Sequence, residues 1–258
     1  MFQYLPLSAK IYIFVLAFVL GAFLGSALHC LAWRMVRGEK WSRGRSHCPQ
    51  CGHVLSALDL VPVFSWLALR GKCRHCGGKI PARYVLSEGL LGLAFVLVLW
   101  RFGLTVHTLS VLILVCCLFC LSLVDLEIQI IPDRFLLIPA LVRLGELLLD
   151  GGLVCALIPA LIFGGGLLAL SLIMDKILKK DTMGGGDIKL MALLGLYFTI
   201  PECLLLLVIA CVLGIVMAYI LMKIRDDTPF PFGPALSLAA FATALVGEPI
   251  VTWYLSLF

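Results

Sequence analysis

Met183-Gly184-Gly185-Gly186-Asp187-Ile188-Lys189 places a carboxylate between three glycines and the start of an apolar helix expected from Leu190. Glycines allow backbone conformations that other residues rarely adopt, and they let a second segment approach closely. A charged side chain where a helix enters a membrane is costly and usually functional. Two interpretations are open: Asp187 only caps the helix, or it takes part in chemistry.

A second acidic stretch favours chemistry. Ser122-Leu123-Val124-Asp125-Leu126-Glu127-Ile128-Gln129-Ile130-Ile131-Pro132-Asp133 places Asp125 directly after a long uncharged apolar segment. Two aspartates at two membrane borders suggest that the side chains act as a pair. Asp125 and Asp187 are therefore the candidate catalytic residues.

The composition places the chain in a membrane. Hydrophobic residues make up 62% of the sequence and charged residues only 14%, whereas soluble domains carry roughly 25% charged residues. The mean hydropathy is +1.10. We therefore expect an all-α, polytopic membrane helical bundle and exclude a soluble globular domain.

The apolar segments predict about eight transmembrane helices. Residues 11–33 contain no charged side chain and are long enough to cross a bilayer, which favours a first span over a cleaved signal peptide. The Gly21-xxx-Gly25 step in this segment permits close helix contact. The other segments are 84–100, 104–124, 134–149, 151–174, 189–200, 203–222 and 234–256.

Two of these segments are doubtful as simple spans. Segment 134–149 contains Arg143 and Glu146 at helical i, i+3 spacing, and segment 189–200 is short. Buried ionisable groups and a shortened helix fit either a cavity open to water or a structural ion pair inside the bundle.

The positive charges fix the expected orientation. Residues 34–83 hold ten of the chain's twenty Lys and Arg residues, so this loop should be cytoplasmic. The first span then runs from outside to inside, and eight spans leave both termini outside. The same alternation puts Asp125 and Asp187 on the cytoplasmic face, where they can meet.

Four cysteines in this loop predict a metal site. Cys48-Pro49-Gln50-Cys51 and Cys73-Arg74-His75-Cys76 are Cys-x-x-Cys pairs, each followed by glycine, and four thiolates complete a tetrahedral zinc site. The alternative is thiol redox chemistry, which normally takes place in an oxidising compartment. Zinc bound by Cys48, Cys51, Cys73 and Cys76 is therefore expected, with a structural role.

The two aspartate stretches together resemble the paired signature of the type IV prepilin peptidases, the GxGD aspartyl proteases of bacterial membranes. In that family an Asp about six residues before Ile-Pro pairs with the Asp of Gly-x-Gly-Asp-x-Lys. The resemblance extends from about Gly21, through the cysteine loop with its Asp59-Leu60-Val61-Pro62-Val63-Phe64-Ser65-Trp66-Leu67 stretch, to Phe232-Gly233-Pro234. One departure is His29, where relatives commonly carry Asn.

The resemblance implies a prepilin aspartyl endopeptidase of the bacterial inner membrane. Such an enzyme removes the short basic leader of type IV prepilins or pseudopilins, typically between Gly and Phe, and needs no metal for the cleavage. Family members with the cysteine loop can also N-methylate the new N-terminus from S-adenosylmethionine. The partners are then these substrates and membrane lipids, and no nucleic acid is expected.

The resemblance and the charge pattern together give an expected domain organisation. Residues 1–33 form the first transmembrane helix, residues 34–83 a cytoplasmic four-cysteine zinc-binding domain, and residues 84–258 a membrane-embedded aspartyl peptidase domain. Rival functions are a membrane thiol-disulfide oxidoreductase that uses the two Cys-x-x-Cys pairs, and an ion- or proton-coupled transporter. A transporter usually has internal repeats and acids near mid-span, and neither is evident here.

Helix position suggests how the two aspartates divide the work. Asp187 precedes a helix whose N-terminal dipole favours the ionised carboxylate, and Lys189 nearby should have the same effect. Asp125 ends a helix, where the carbonyl dipoles disfavour a negative charge. We therefore expect Asp187 to be the general base and Asp125 the acid.

Overall fold

A computed structural model describes residues 6–39, 46–48, 50–180, 183–224 and 231–257. The described part is helical, with isolated β-bridges only in the cysteine loop. The chain divides into two compact units, Met1–Thr108 and Leu109–Phe258. The all-α fold expected from the sequence is confirmed.

The first unit consists of two long helices and the cysteine loop between them. Its elements are α1 (Leu7–Val36), a 3-10 turn (Ala57–Leu60), α2 (Phe64–Ala68) and α3 (Ala82–Phe102). The backbones of α1 and α3 touch: a Cβ atom at Gly21 would lie 2.8 Å from the Leu91 carbonyl oxygen. Close contact at the Gly21-xxx-Gly25 step is therefore confirmed.

The second unit contains the remaining helices. They are α4 (Val106–Ile128), which starts just before the unit boundary, α5 (Arg134–Asp150), α6 (Leu153–Leu178), α7 (Gly185–Gly195), α8 (Ile200–Ile224) and α9 (Gly233–Leu255). The short helix α7 packs closely on α6, because Gly195 lies directly against the backbone of Ala160. Helix α7 therefore has little freedom to shift along α6.

Within the described residues, six helices are long and apolar enough to cross a membrane: α1, α3, α4, α6, α8 and α9. All eight segments expected from the sequence are helical, but α5 has 17 residues and α7 only 11. A helix rises about 1.5 Å per residue, so α7 is about 16 Å long and cannot cross a hydrocarbon layer of about 30 Å. The count of eight spans is therefore approximate.

The ionisable pair on α5 forms a buried ion pair. Arg143 Nη1 lies 2.8 Å from Glu146 Oε2, and the two side chains are 14% and 5% exposed. Arg143 Nε also donates to the Leu196 carbonyl just beyond α7. Tyr197 extends this network, donating to the Pro139 carbonyl and accepting from Ser110. These contacts favour the structural ion pair over a water-filled cavity.

Candidate active site

Asp125 lies one turn from the end of α4. The helix stops at Ile128, and Gln129 follows in the left-handed region with φ of 55°. After Gln129 the backbone turns away from α4 and continues through Pro132 into α5. The Asp125 side chain is buried, with a relative exposure of 5%. A carboxylate so little exposed needs hydrogen-bond donors from the protein.

The start of α9 supplies a donor. The Gly233 N–H donates to Asp125 Oδ2 at 3.1 Å. A Cβ atom on Gly233 would lie only 2.6 Å from this oxygen, so a side chain there would displace the carboxylate. The sequence analysis quoted Phe232-Gly233-Pro234 only as the end of the resemblance and missed this contact. Pro234, which favours the first turn of a helix, was the available signal that a backbone N–H is exposed here.

Asp187 lies in the first turn of α7, as its third residue after the N-cap Gly184. The Asp187 N–H donates to the Gly184 carbonyl at 3.0 Å. Between this turn and α9 lies Ile131, which approaches within 2.9 Å of a Cβ position on Gly186 and 3.4 Å of one on Gly233. Glycine at position 186 is therefore required by the approach of Ile131.

The two aspartates interact electrostatically. Burial and the negative charge of Asp125 raise the pKa of Asp187 to about 6. Asp125 is buried as well, but it accepts a hydrogen bond from the Gly233 N–H, which favours its ionised form. The hydrogen bond to Asp125 favours a division of roles opposite to the one expected from the helix dipoles, whose effect is about 0.3–1 kcal/mol, and the division stays a prediction.

Lys189 does not act on Asp187 as expected. Its ammonium lies 2.8 Å from Asp133 Oδ1, and both side chains are exposed at 59% and 62%. Asp133 immediately precedes α5, so the ion pair connects the starts of α5 and α7. Exposed ion pairs of this kind contribute at most about 1 kcal/mol to stability. Lys189 therefore links the starts of two helices and has little effect on the Asp125–Asp187 pair.

The four cysteine sulfurs of the first unit converge. The ligand atoms of Cys48, Cys51, Cys73 and Cys76 all lie within 4.8 Å of one another, and the sulfurs of Cys48 and Cys76 are 3.9 Å apart. Zinc–sulfur bonds of about 2.3 Å require sulfur separations of roughly 3.8 Å in a tetrahedron. The cluster could therefore hold a metal ion.

The two Cys-x-x-Cys pairs, called the first and second cysteine knuckles, have the same backbone geometry. Gly52 N–H donates to the Cys48 carbonyl, and Gly77 N–H donates to the Cys73 carbonyl, each at 2.9 Å. Both glycines have φ of +70°, which explains why glycine follows each pair. Backbone N–H groups of Cys51 and Gln50 lower the pKa of the Cys48 thiol to about 7, which favours the thiolate that a metal binds.

The histidines of this loop do not join the cluster. His53 and His75 are exposed and stack on each other with ring centroids 4.4 Å apart. Only the four cysteines form a metal-binding group among the described residues. His47 is exposed as well.

Comparison with known proteins places this arrangement in a family. Residues 19–102 match the model of the bacterial peptidase A24 N-terminal domain, and residues 112–219 match that of the type IV leader peptidase family. The prepilin leader peptidase/N-methyltransferase of Stutzerimonas stutzeri is 34% identical, over 97% of this chain and 95% of its own length. The chain belongs to the type IV leader peptidase family.

Other family members give the same result. Proteins named prepilin leader peptidase/N-methyltransferase from Pseudomonas putida and Neisseria gonorrhoeae are 34% and 35% identical, covering 93% and 82% of this chain and 92% and 75% of their own lengths. No solved structure matches the chain significantly. The resemblance drawn from the aspartate motifs is confirmed, and the chain is an integral membrane protein of this peptidase family.

Proposed function

We propose that this protein cleaves the basic leader from type IV prepilins or pseudopilins, typically between Gly and Phe. The observation that carries this proposal is the pairing of Asp125 and Asp187, whose charges interact although they lie on separate helices of one unit. Membership of the type IV leader peptidase family supports the substrate class. In this proposal residues 84–258 carry the peptidase activity.

The contacts of the two carboxylates suggest their roles. Asp125, ionised and held by the Gly233 N–H, takes a proton from the attacking water. Asp187, whose pKa is raised to about 6, holds its proton and donates a hydrogen bond to the scissile carbonyl. As the tetrahedral intermediate collapses, the proton gained by Asp125 passes to the leaving amine, and the C–N bond breaks.

The four-cysteine cluster is proposed to bind structural zinc within a domain of residues 34–83. Zinc would there fix the loop through Cys48, Cys51, Cys73 and Cys76, and four protein ligands leave no open position for chemistry. A metal in this closed site takes no part in peptide cleavage, so the peptidase mechanism rests on the two aspartates alone.

N-methylation from S-adenosylmethionine rests on the names of the relatives. Among the described residues no strand leads into a glycine-rich turn, so a nucleotide-binding βα unit does not fit this part of the chain. No step is therefore derived through that cofactor.

We also propose the orientation given by the basic loop: both termini outside, with the cysteine loop and both aspartates on the cytoplasmic face of the bacterial inner membrane. The excess of Lys and Arg in residues 34–83 supports this orientation. A basic leader peptide would then remain on the side where positive charge is favoured.

Cleavage of a purified prepilin by the reconstituted protein tests the function. Mass spectrometry should find a single cut at the end of the basic leader. Asp125→Asn and Asp187→Asn should each abolish the cut, while Glu127→Gln, two residues from Asp125 and exposed, should leave it intact. If the prepilin stays whole with the wild-type protein, or if cysteine variants rather than aspartate variants stop the reaction, the proposal is wrong.

A further inference from the structure

The cysteine loop is basic overall, but it contains an apolar stretch. Leu60-Val61-Pro62-Val63-Phe64-Ser65-Trp66-Leu67-Ala68-Leu69 has no charged residue, although residues 34–83 hold half of all Lys and Arg. We call residues 60–69 the apolar segment. It includes α2, and the 3-10 turn of residues 57–60 leads into it.

One side of the apolar segment is anchored to the four-cysteine module. The Trp66 indole N–H donates to the Ile80 carbonyl at 3.2 Å, and its ring lies directly over Gly71. Just before the segment, Asp59 forms an ion pair with Arg74 at 2.9 Å. The contacts of Trp66 and Asp59 therefore hold this side of the segment against residues around the second Cys-x-x-Cys pair.

Other side chains of the segment are apolar and are left exposed by the described residues. Leu60, Phe64 and Leu67 are 41%, 61% and 58% exposed, and Leu58 in the preceding turn is 69% exposed. In a loop surrounded by water, such side chains would stay exposed at a cost in free energy. Clustered exposed apolar residues usually mark a surface that contacts something else.

A hydrogen bond shows how far this surface lies from the charged end of α1, at Arg34. The Val63 N–H donates to Glu88 Oε2 at 2.7 Å. The Glu88 Cα lies 3.1 Å from a Cβ position on Gly25, which is nine residues before Arg34 on α1. Nine residues correspond to about 13 Å along a helix. Val63 is therefore bound to a side chain of α3 that packs against the uncharged part of α1, away from the charged end of α1.

The backbone at Val63 is forced into this position. Val63 has φ of 62° and ψ of −53°, and Phe64 N–H donates to the Pro62 carbonyl at 2.6 Å. This is a γ-turn of the strained kind, and a β-branched residue adopts it only when its surroundings impose it. The bond to Glu88 is the contact that holds the segment against α3.

We infer that the apolar segment lies in the interfacial layer of the lipid bilayer, with Phe64 and Leu67 facing the acyl chains. The depth of the bond to Glu88 favours lipid as the occupant, because it holds Val63 near the level of Gly25, within the uncharged part of α1. An apolar face buried beside a polar, cationic one is the usual pattern of interfacial segments.

Depth-resolved fluorescence quenching in nanodiscs tests this inference on the full-length protein. A small fluorescent amino acid replaces Phe64 or Leu67, one at a time. Leu90 on α3 is the lipid-exposed control, and Val54, 43% exposed beside the first cysteine knuckle, is the water-exposed control. Each labelled protein must keep the thermal unfolding transition of the wild-type protein, which shows that it is folded. The quenchers are phospholipids brominated high on their acyl chains and aqueous iodide.

The inference predicts that positions 64 and 67 are quenched by brominated lipid as strongly as position 90, and by iodide much less than position 54. Quenching by iodide at the level of position 54 would place the segment in water and overturn the inference. Protection from both quenchers would mean that protein covers the segment, through a second copy of the chain, and would overturn it equally. None of these outcomes depends on peptidase activity.

Discussion

At the scale of residues, one glycine determines where the Asp125 carboxylate of the Asp125–Asp187 pair lies. Gly233 matters through its N–H and through the absence of a side chain, and both effects act on the same oxygen of Asp125. The sequence shows a glycine before Pro234 but not that this glycine meets a residue 108 positions away. The contact depends on how α4 and α9 pack, which local patterns do not encode.

Substituting Gly233 by Ala should disable the enzyme without unfolding it. The new methyl group would push Asp125 away, and misplacements of about 1 Å can lower a rate by about 100-fold. The prediction is a loss of that order in kcat/KM for prepilin cleavage. Gly145→Ala on α5, where nothing lies within 4 Å, is the matched control and should retain wild-type activity. Equal activity of the two variants would exclude this role for Gly233.

The protonation of Asp187 predicts a pH dependence. If Asp187 supplies a proton, activity requires its acid form, which is lost as the pH rises through its pKa of about 6. The kcat/KM of prepilin cleavage reports the pKa values of the substrate-free enzyme. It should therefore fall above about pH 6. Since interacting acids titrate as a pair, infrared titration of labelled aspartates must assign the step to a residue. A proton held to higher pH by Asp125 than by Asp187 would restore the order expected from helix dipoles.

At the scale of elements, short helices determine where the aspartates lie. Helix α7 is too short to cross the membrane, and its end is fixed by Arg143 of α5, which donates to the Leu196 carbonyl. The spacing of Arg143 and Glu146 in the sequence fitted either an ion pair or a cavity open to water. It did not predict that Arg143 also binds the end of α7, because that contact joins residues 53 positions apart.

Breaking the buried ion pair should destabilise the protein strongly. Arg143→Met removes the cation from the buried pair with Glu146, a change that typically costs about 3–5 kcal/mol. The double variant Arg143→Met/Glu146→Leu should recover part of this loss, because no charge remains unpaired. Thermal unfolding in detergent measures both variants. A double variant less stable than Arg143→Met would show that the pair itself, rather than the unpaired charge, controls stability.

The cysteine loop should depend on its metal. Elemental analysis of protein purified under reducing conditions should find one zinc per chain, and Cys73→Ser should lose it, since four ligands are needed to close the site. Cys155→Ser, at an exposed cysteine on α6, is the control that should keep the metal. Metal-free protein with two disulfides in this loop would favour the thiol-disulfide oxidoreductase instead.

For the whole molecule, the sequence predicted the all-α fold class and identified the two segments that are doubtful as membrane spans. Each of the eight apolar segments contains a helix, because long apolar stretches have few alternatives in a bilayer. The number of spans was less certain, since α5 and α7 have the composition of spans but not their length. The roles proposed for the aspartates differ from those expected from the sequence, because helix dipoles can be inferred from sequence, whereas the Gly233 contact cannot.

The central claim is that Asp125 and Asp187 act as one catalytic pair, and a double-mutant cycle tests it most directly. The kcat of prepilin cleavage is measured for Asp125→Asn, Asp187→Asn and the double variant, each shown to be inserted and folded. Residues that act as a unit are strongly non-additive, so each single variant should lose about 10⁴-fold or more and the double variant no more than either. Near wild-type cleavage by either single variant, or losses that simply add, would contradict the pair.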